Sequence, residues 1–157
     1  MMLLDCSIPL CRFFIYSVAV VSLVINWEVF PQVLPNFWFG RPRDIGITVY
    51  LLLVSGWVAG GLSLRILAPV FLADPAGAVV GRWASEKFGK RNPRWLGEKT
   101  VAGSVAVFVL TFLSLYSPAA LPSRLAVAAL ATVGEAVGGA FDNLTIAMIV
   151  IVSSLVF

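Results

Sequence analysis

The sequence contains no histidine, only two cysteines and a small share of charged residues. Without histidine, the chain can have no imidazole metal site, no Ser-His catalytic pair and no histidine proton relay. Cys6 and Cys11 are too few for a disulfide scaffold or a four-ligand zinc site. Charged residues make up 12% of the 157 residues, about half of the usual share in a soluble domain, and apolar residues make up 60%. We therefore expect the outer surface of this protein to face lipid.

Apolar stretches of membrane-spanning length make up most of the chain. A helix needs about 20 apolar residues to cross the hydrocarbon core of a bilayer. We predict an all-α, polytopic transmembrane bundle of about six helical segments, with residues 1–157 forming a single integral-membrane domain. A turn at Gly60–Gly61 separates the second and third segments, and Asp142–Asn143 marks a break between the last two. The predicted segments are residues 13–33, 45–64, 62–80, 100–123, 125–141 and 144–157.

Basic residues are concentrated in two predicted loops, residues 35–44 and 82–99. If Gly60–Gly61 is a turn, both loops lie on one side of the bilayer, and together they hold eight of the eleven Lys and Arg residues. The positive-inside rule places that side in the cytoplasm or its equivalent and leaves the organelle open. This multi-pass topology explains the net charge of +3 without nucleic acid as a partner, and it makes the lipid bilayer the expected partner.

Three acidic residues, Asp74, Glu135 and Asp142, interrupt otherwise apolar segments. Charges within a membrane are costly and usually face a cavity or a partner. Asp74 precedes a proline, which is typical of a helix start, and a helix N-terminus there would attract anions. Glu135 and Asp142 are seven residues apart, which places them on one helical face with Gly138–Gly139 between them. The simpler alternatives are a capping aspartate and ion pairs with a neighbouring helix.

Small residues follow Asp74 at helical spacing, with Gly77 three and Gly81 seven residues further on. They leave a bare face with room for a phosphate chain or for close helix packing. Lys99 stands at the mouth of a later predicted helix, whose first turn contains Thr100, Gly103 and Ser104. A lysine, hydroxyl groups and a helix N-terminus together suit polyphosphate binding, although a solvated basic loop that touches lipid headgroups is the simpler explanation.

Several blocks of the sequence resemble the CTP-dependent lipid kinase family, which includes dolichol kinase, phytol or farnesol kinase and CTP-dependent diacylglycerol kinase. This family is related to the phosphatidate cytidylyltransferases. The resemblance covers residues 40–157, includes Glu135, and lies in the blocks FGRPRDIG at 39–46, DPAGAVVGR at 74–82, GK at 89–90, KTVAGS at 99–104 and DNLTI at 142–146. It implies an integral-membrane kinase that transfers the γ-phosphate of CTP to the hydroxyl of a lipid alcohol. It also implies that Asp74, Lys99 and Asp142 belong to the active site.

We accordingly predict Mg²⁺, or another divalent cation, as the cofactor and CTP as the co-substrate. Mg²⁺ binds through one or two carboxylates plus substrate phosphates, which suits Glu135 and Asp142. Asp74 is predicted as a further ligand or as the base that accepts the hydroxyl proton. The predicted phosphate-binding residues are Gly77, Gly81, Arg82, Lys99, Thr100, Gly103, Ser104 and Asn143.

Other readings of the same residues stay open at this point. A phosphatidate cytidylyltransferase and a small cation-coupled membrane transporter could both use intramembrane acids near a basic loop. The lipid alcohol could be phytol, a polyprenol such as dolichol, or diacylglycerol. Homo-oligomerisation is also left open.

Overall fold

The computed structural model describes residues 9–27, 43–63, 65–115 and 120–156, and most of these residues are helical. The chain divides into two compact units, Met1–Arg65 (unit 1) and Ile66–Phe157 (unit 2). Each unit has its own packed helices. The single domain that we expected for residues 1–157 stays a prediction.

Unit 1 contains helix α1, Pro9–Asn26, and helix α2, Ile45–Ala59. Asp44 caps α2, because its carboxylate accepts hydrogen bonds from the backbone NH groups of Gly46 at 2.8 Å and Ile47 at 3.2 Å. The local sequence thus fixes the start of α2 at the predicted residue. Residues 28–42, which include most of the predicted basic loop at 35–44, lie outside the described residues.

The buried Asn26 side chain links the end of α1 to the start of α2. Its Nδ2 donates to the backbone oxygen of Asp44 at 2.9 Å and to the hydroxyl of Thr48 at 3.0 Å, and its Oδ1 accepts from the Asp44 NH at 3.0 Å. α2 ends at the predicted turn, where Gly61 has a φ of +68° that favours glycine. The Asn26 amide therefore joins α1 to the start of α2 in the described part of unit 1.

The described residues of unit 2 form four helices and a short antiparallel β-hairpin. The helices contact one another in the cyclic order α3, α4, α5 and α6, so each helix packs against two others. Val70, Val107, Ala131 and Ile146, one from each helix, are buried in the core. The elements are α3 (Ala68–Phe88), β1 (Arg94–Leu96), β2 (Lys99–Thr100), α4 (Val101–Ser114), α5 (Leu121–Gly138) and α6 (Asp142–Val156), with 3-10 turns at Gly89–Arg91 and Gly139–Phe141.

α3 is one continuous helix, so the helix start predicted at Asp74 is wrong. Asp74 and Pro75 lie inside α3, which begins six residues earlier at Ala68 with Pro69 in its first turn. A proline inside a helix lacks the NH that would bond to the carbonyl four residues back. The preceding turn nevertheless forms because its residues, including Val70, are buried against the rest of unit 2. No helix N-terminus exists at Asp74 to attract an anion.

The polar segment 82–99 is more ordered than the predicted loop. Its first part continues α3 to Phe88, and its second part forms the hairpin of β1 and β2, in which Arg94 pairs with Thr100. Gly97 sits in the hairpin turn with a φ of +52°. The fold is therefore mostly helical but includes two strands, which an all-α prediction does not contain.

α5 and α6 follow each other without a break in the helical run Leu121–Val156, which is 36 residues long. The expected count of about six separate helical segments is not matched. The described residues form five continuous helical runs, because α5 and α6 belong to one run. Within this run the chain reverses at Gly139, whose φ is +55°, and α6 returns along α5. A Cβ atom on Gly134 of α5 would lie 2.8 Å from Ile149 Cδ1 of α6. The reversal comes three residues before the predicted break at Asp142–Asn143.

Two helical runs in the described residues are long and apolar enough to cross a membrane, judged by length and composition: Pro9–Asn26 and Leu121–Val156. α2 and α4 are shorter apolar helices. Large apolar side chains are exposed on both units, for example Phe13 at 70% and Leu155 at 81% of their surface. Exposed apolar surface of this extent is costly in water and suits contact with lipid.

Candidate functional site

A polar cavity of about 430 Å³ lies in unit 2, between α3, the hairpin and the start of α4. Nine of the residues that we predicted for the site line this cavity. They are Asp74, Gly77, Gly81, Arg82, Lys99, Thr100, Gly103, Ser104 and Glu135. The fold therefore brings together residues that are up to 61 positions apart in sequence. Asp142 and Asn143 do not line the cavity, although both lie beside residues that do.

Three carboxylates from three different helices converge in unit 2. One oxygen each of Asp74, Glu135 and Asp142 lies within 4.8 Å of the others, which is a spacing that could hold a metal ion. Glu135 and Asp142 are not on one helical face as predicted, because the turn at Gly139 separates them into α5 and α6. The helical hairpin brings them together instead. All three predicted metal ligands therefore lie close together. The sequence spacing did not predict the helical hairpin that brings Glu135 and Asp142 together.

Lys99 bridges two of these acids from the β-hairpin. Its Nζ donates to Asp142 Oδ2 at 2.9 Å and also donates to Glu135 Oε1. Burial lowers the pKa of Lys99, but the hydrogen bonds to Glu135 and Asp142 raise it by more, so the net pKa lies above the ordinary value. Lys99 is therefore a positively charged ammonium at neutral pH, and it balances part of the negative charge of the acid cluster.

Glu135 is the most deeply buried member of the cluster, with 4% of its surface exposed. Its Oε1 accepts from Lys99, but its Oε2 is buried and has no hydrogen-bond partner in the part of the chain that the structure describes. A buried carboxylate oxygen without a partner carries a desolvation cost of about 1–3 kcal/mol or more. A bound cation would remove that cost, so this oxygen fits a metal ligand better than a purely structural acid.

Asn143 lies beside the acid cluster instead of in the cavity wall. Its side chain is buried and lies near the carboxylate of Asp74, while its Oδ1 has no hydrogen-bond partner among the described residues. This proximity places Asp74 against α6. The phosphate-binding role that we predicted for Asn143 stays a prediction, and the contact with Asp74 is the interaction that the geometry supports.

The predicted glycines serve close packing between α3 and α4. A Cβ atom on Gly77 would lie 2.6 Å from Val107 Cγ2, and one on Gly103 would lie 2.8 Å from the backbone oxygen of Gly77. A Cβ atom on Gly81 would lie 2.9 Å from Thr100 Oγ1. Of the two explanations offered for the bare face after Asp74, helix packing accounts for these contacts directly. The close approach also sets the width of the cavity that the glycines line.

Thr100 forms the helix N-terminus that the sequence predicted. It is the N-cap of α4, and its Oγ1 accepts from the backbone NH of Gly103 at 3.2 Å. The start of α4 therefore opens onto the cavity beside Lys99. A helix N-terminus next to an ammonium group gives this wall a positive potential that suits phosphate.

Asn92 is a site residue that the sequence analysis missed. Its Nδ2 donates to Ser85 Oγ at 3.0 Å and to the Gly81 oxygen at 3.3 Å, and its Oδ1 accepts from the Ala102 NH at 3.0 Å. This buried amide fastens the hairpin to both α3 and α4. The signal that identifies it is its burial, which the sequence does not show.

Other missed residues complete the cavity. Ser85, Arg94 and Glu98 line it together with the predicted residues. Trp95 Nε1 donates to Ser104 Oγ at 2.8 Å, so the hydroxyl that we assigned to phosphate already has a hydrogen bond from the hairpin.

Comparison of the chain with protein-family models, curated proteins and solved structures finds no match. Functional conclusions about this site therefore depend on its own chemistry and on the sequence resemblance described above.

Proposed function

We propose that this chain is a membrane-embedded lipid kinase that transfers the terminal phosphoryl group of a nucleoside triphosphate to the hydroxyl of a lipid alcohol. The observation that carries the proposal is the acid cluster of Asp74, Glu135 and Asp142 beside a cavity with a basic, helix-capped wall. Phosphoryl transfer depends mainly on positioning and on charge neutralisation, and this site offers both. The choice of CTP as the donor rests on the family resemblance.

The acid cluster has the charge and spacing for a divalent cation. Three carboxylate side chains and one ammonium group have a formal charge of −2, which one divalent cation would balance. One oxygen from each carboxylate lies within 4.8 Å of the others, so Asp74, Glu135 and Asp142 could together hold one cation. The partnerless Oε2 of Glu135 supports the same reading. When bound there, Mg²⁺ would neutralise charge on the phosphates.

Lys99 acts as the exchangeable positive group in this proposal. It lies between the acid cluster and the cavity wall, and its side chain is 29% exposed. When a cation neutralises Glu135 and Asp142, the ammonium group is free to turn towards a phosphate in the cavity. Arg82 and the N-terminus of α4 would hold the remaining phosphate oxygens.

The reaction itself balances with groups that the site provides. The hydroxyl oxygen of the lipid alcohol attacks the terminal phosphorus, and the bond from that phosphorus to the bridging oxygen breaks. A nucleoside diphosphate leaves, and the hydroxyl proton passes to the Asp74 carboxylate. Asn143 of α6 lies near that carboxylate. Asp74 is therefore the residue whose loss should affect the chemistry most directly.

The proposal is tested by phosphorylation of phytol, dolichol and diacylglycerol in detergent, with CTP and ATP compared as donors. Asp74→Asn should lower kcat by about 10²- to 10⁴-fold, which is the usual contribution of a general base. Glu86→Gln neutralises an exposed acid on the same helix and should leave the rate unchanged. Full activity of Asp74→Ala would refute the mechanism. Release of pyrophosphate instead of a nucleoside diphosphate would favour the cytidylyltransferase alternative.

The multi-pass arrangement belongs to the same proposal. It is supported by exposed apolar residues on the shorter helices as well as on the two long runs, for example Leu52 of α2 and Leu113 of α4. Single cysteines introduced at the hairpin turn Gly97 and at the α5–α6 turn Gly139, in a chain whose Cys6 and Cys11 are replaced by alanine, would report sidedness. Labelling by an impermeant thiol reagent from one side only, at each position, is the expected result. Release of the protein from membranes by alkaline carbonate, as for a peripheral protein, would contradict membrane insertion.

A further inference from the structure

An apolar groove of about 320 Å³ lies next to the polar cavity of unit 2. It is lined by Trp95, Val101, Ser104, Val105, Phe108 and Thr132, and its wall is entirely apolar. The groove follows one face of α4 for about 10 Å, because Val101 and Phe108 are seven residues apart at 1.5 Å per residue. Val105 is 55% exposed at its rim, so the groove opens to the surroundings.

The two residues with hydroxyl groups in this groove turn no polar surface towards it. The hydroxyl of Ser104 accepts a hydrogen bond from Trp95 Nε1 at 2.8 Å, and the hydroxyl of Thr132 donates to the Ala128 oxygen at 2.8 Å. Their remaining surface is carbon. Because the groove has no polar surface, a hydrocarbon chain can occupy it without desolvating a polar group.

The groove and the polar cavity share Ser104, which lines both. A molecule with its apolar chain in the groove therefore has its polar end at the cavity that contains Lys99 and Asp74. We propose that this groove binds the hydrocarbon tail of the lipid alcohol that the kinase phosphorylates. This inference rests on the proposed function and deepens it, because it assigns the acceptor subsite to the α4 face.

The subsite can be blocked from its rim without disturbing the core. Val105→Phe places a ring at the exposed edge of the groove, whereas Val133→Phe makes the same change at a position that is 52% exposed and does not line the groove. A ring that displaces two methylene groups of the tail should weaken binding by roughly tenfold. Val105→Phe should therefore raise KM about tenfold for long-chain alcohols and leave short-chain alcohols unchanged, and Val133→Phe should change neither.

A second readout does not depend on catalysis. A long-chain primary alcohol with a diazirine half-way along its chain is photolysed with the full-length protein in phosphatidylcholine nanodiscs, and the labelled peptides are identified by mass spectrometry. We expect label on residues 95–108, reduced about tenfold by Val105→Phe and unchanged by Val133→Phe. Excess unlabelled alcohol should reduce the labelling of the groove. Phosphatidylcholine is already present in excess, so such a reduction would show that the groove prefers the alcohol to the bulk lipid.

The two readouts separate the groove from the enzyme activity. If no alcohol is phosphorylated but the label maps to the groove and is lost in Val105→Phe, the proposed function fails and the subsite stands. If phosphorylation occurs but Val105→Phe behaves like Val133→Phe in both readouts, the subsite is refuted and the kinase stands. Label spread evenly over all helices, or insensitive to unlabelled alcohol, would mean that the groove holds bulk lipid only, and would also refute the subsite.

Discussion

Replacing Lys99 by methionine removes the ammonium group from the acid cluster while keeping a long side chain. The ammonium group contacts Glu135 and Asp142, and those carboxylates would be left near Asp74 with no positive partner. Breaking a buried ion pair from one side costs about 3–5 kcal/mol. Because the Lys99 side chain is 29% exposed, water screens part of this effect, and we expect a loss of about 3 kcal/mol.

The same variant should become more responsive to Mg²⁺. In the wild-type protein a cation must displace the ammonium group, whereas in Lys99→Met the three carboxylates are available at once. Ligand at 100 times its Kd adds about 2.7 kcal/mol to the free energy of unfolding, which would recover most of the loss. In thermal unfolding in detergent, the Tm of the variant should be roughly 6–12 °C below that of the wild-type protein without Mg²⁺. Addition of Mg²⁺ should restore most of this difference in Tm.

The control for this experiment is Lys90→Met, which removes an exposed lysine from the turn after α3. It should unfold like the wild-type protein at every Mg²⁺ concentration. If Lys99→Met matches the wild type in the absence of Mg²⁺ and shows the same Mg²⁺ response, Lys99 does not balance the acid cluster. The exchange between lysine and cation would then be wrong, whatever the activity of the enzyme.

Four further changes test the packing and the acid cluster. Gly81→Ala should destabilise the protein by about 1–3 kcal/mol in thermal unfolding, because its Cβ would meet Thr100 Oγ1 at 2.9 Å. Gly56→Ala, with nothing within 4 Å of its Cβ, should instead stabilise by about 0.5–1 kcal/mol. Asn92→Ala removes three hydrogen bonds and should cost about 3 kcal/mol by the same measurement; a cost below that of a single bond would contradict its fastening role. Asp142→Asn should weaken the Mg²⁺-dependent stabilisation, and an undiminished response would remove it from the metal site.

Much of the candidate site could be predicted from residue types alone. Acids in apolar segments are rare and costly, so Asp74, Glu135 and Asp142 stood out without any knowledge of the fold. Lys99 and Thr100 were identifiable because a basic residue directly before a hydroxyl N-cap is a local pattern. The structure brings these residues together, whereas their roles in catalysis stay predictions.

The parts that failed depend on contacts between elements. An Asp-Pro pair favours a helix start, but burial of the turn before Asp74 extends α3 past that signal, because tertiary packing outweighs local propensity. The hairpin strands β1 and β2 have three and two residues, too few to show an alternating pattern. The chain reverses at Gly139 through a positive φ and a 3-10 turn. The sequence pair Gly138–Gly139 alone does not predict this reversal.

The turn between α5 and α6 sets how this chain can vary in length. Glu135 and Asp142 are close in space only because the reversal at Gly139 has its present number of residues. One inserted or deleted residue between them would rotate the start of α6 by about 100° and move Asp142 away from Glu135. Related sequences that keep this site should therefore tolerate substitutions in the turn, provided a glycine stays at 139, but no insertion or deletion. Constant spacing between the two acids is thus a feature to search for in distant relatives, even where the surrounding residues differ.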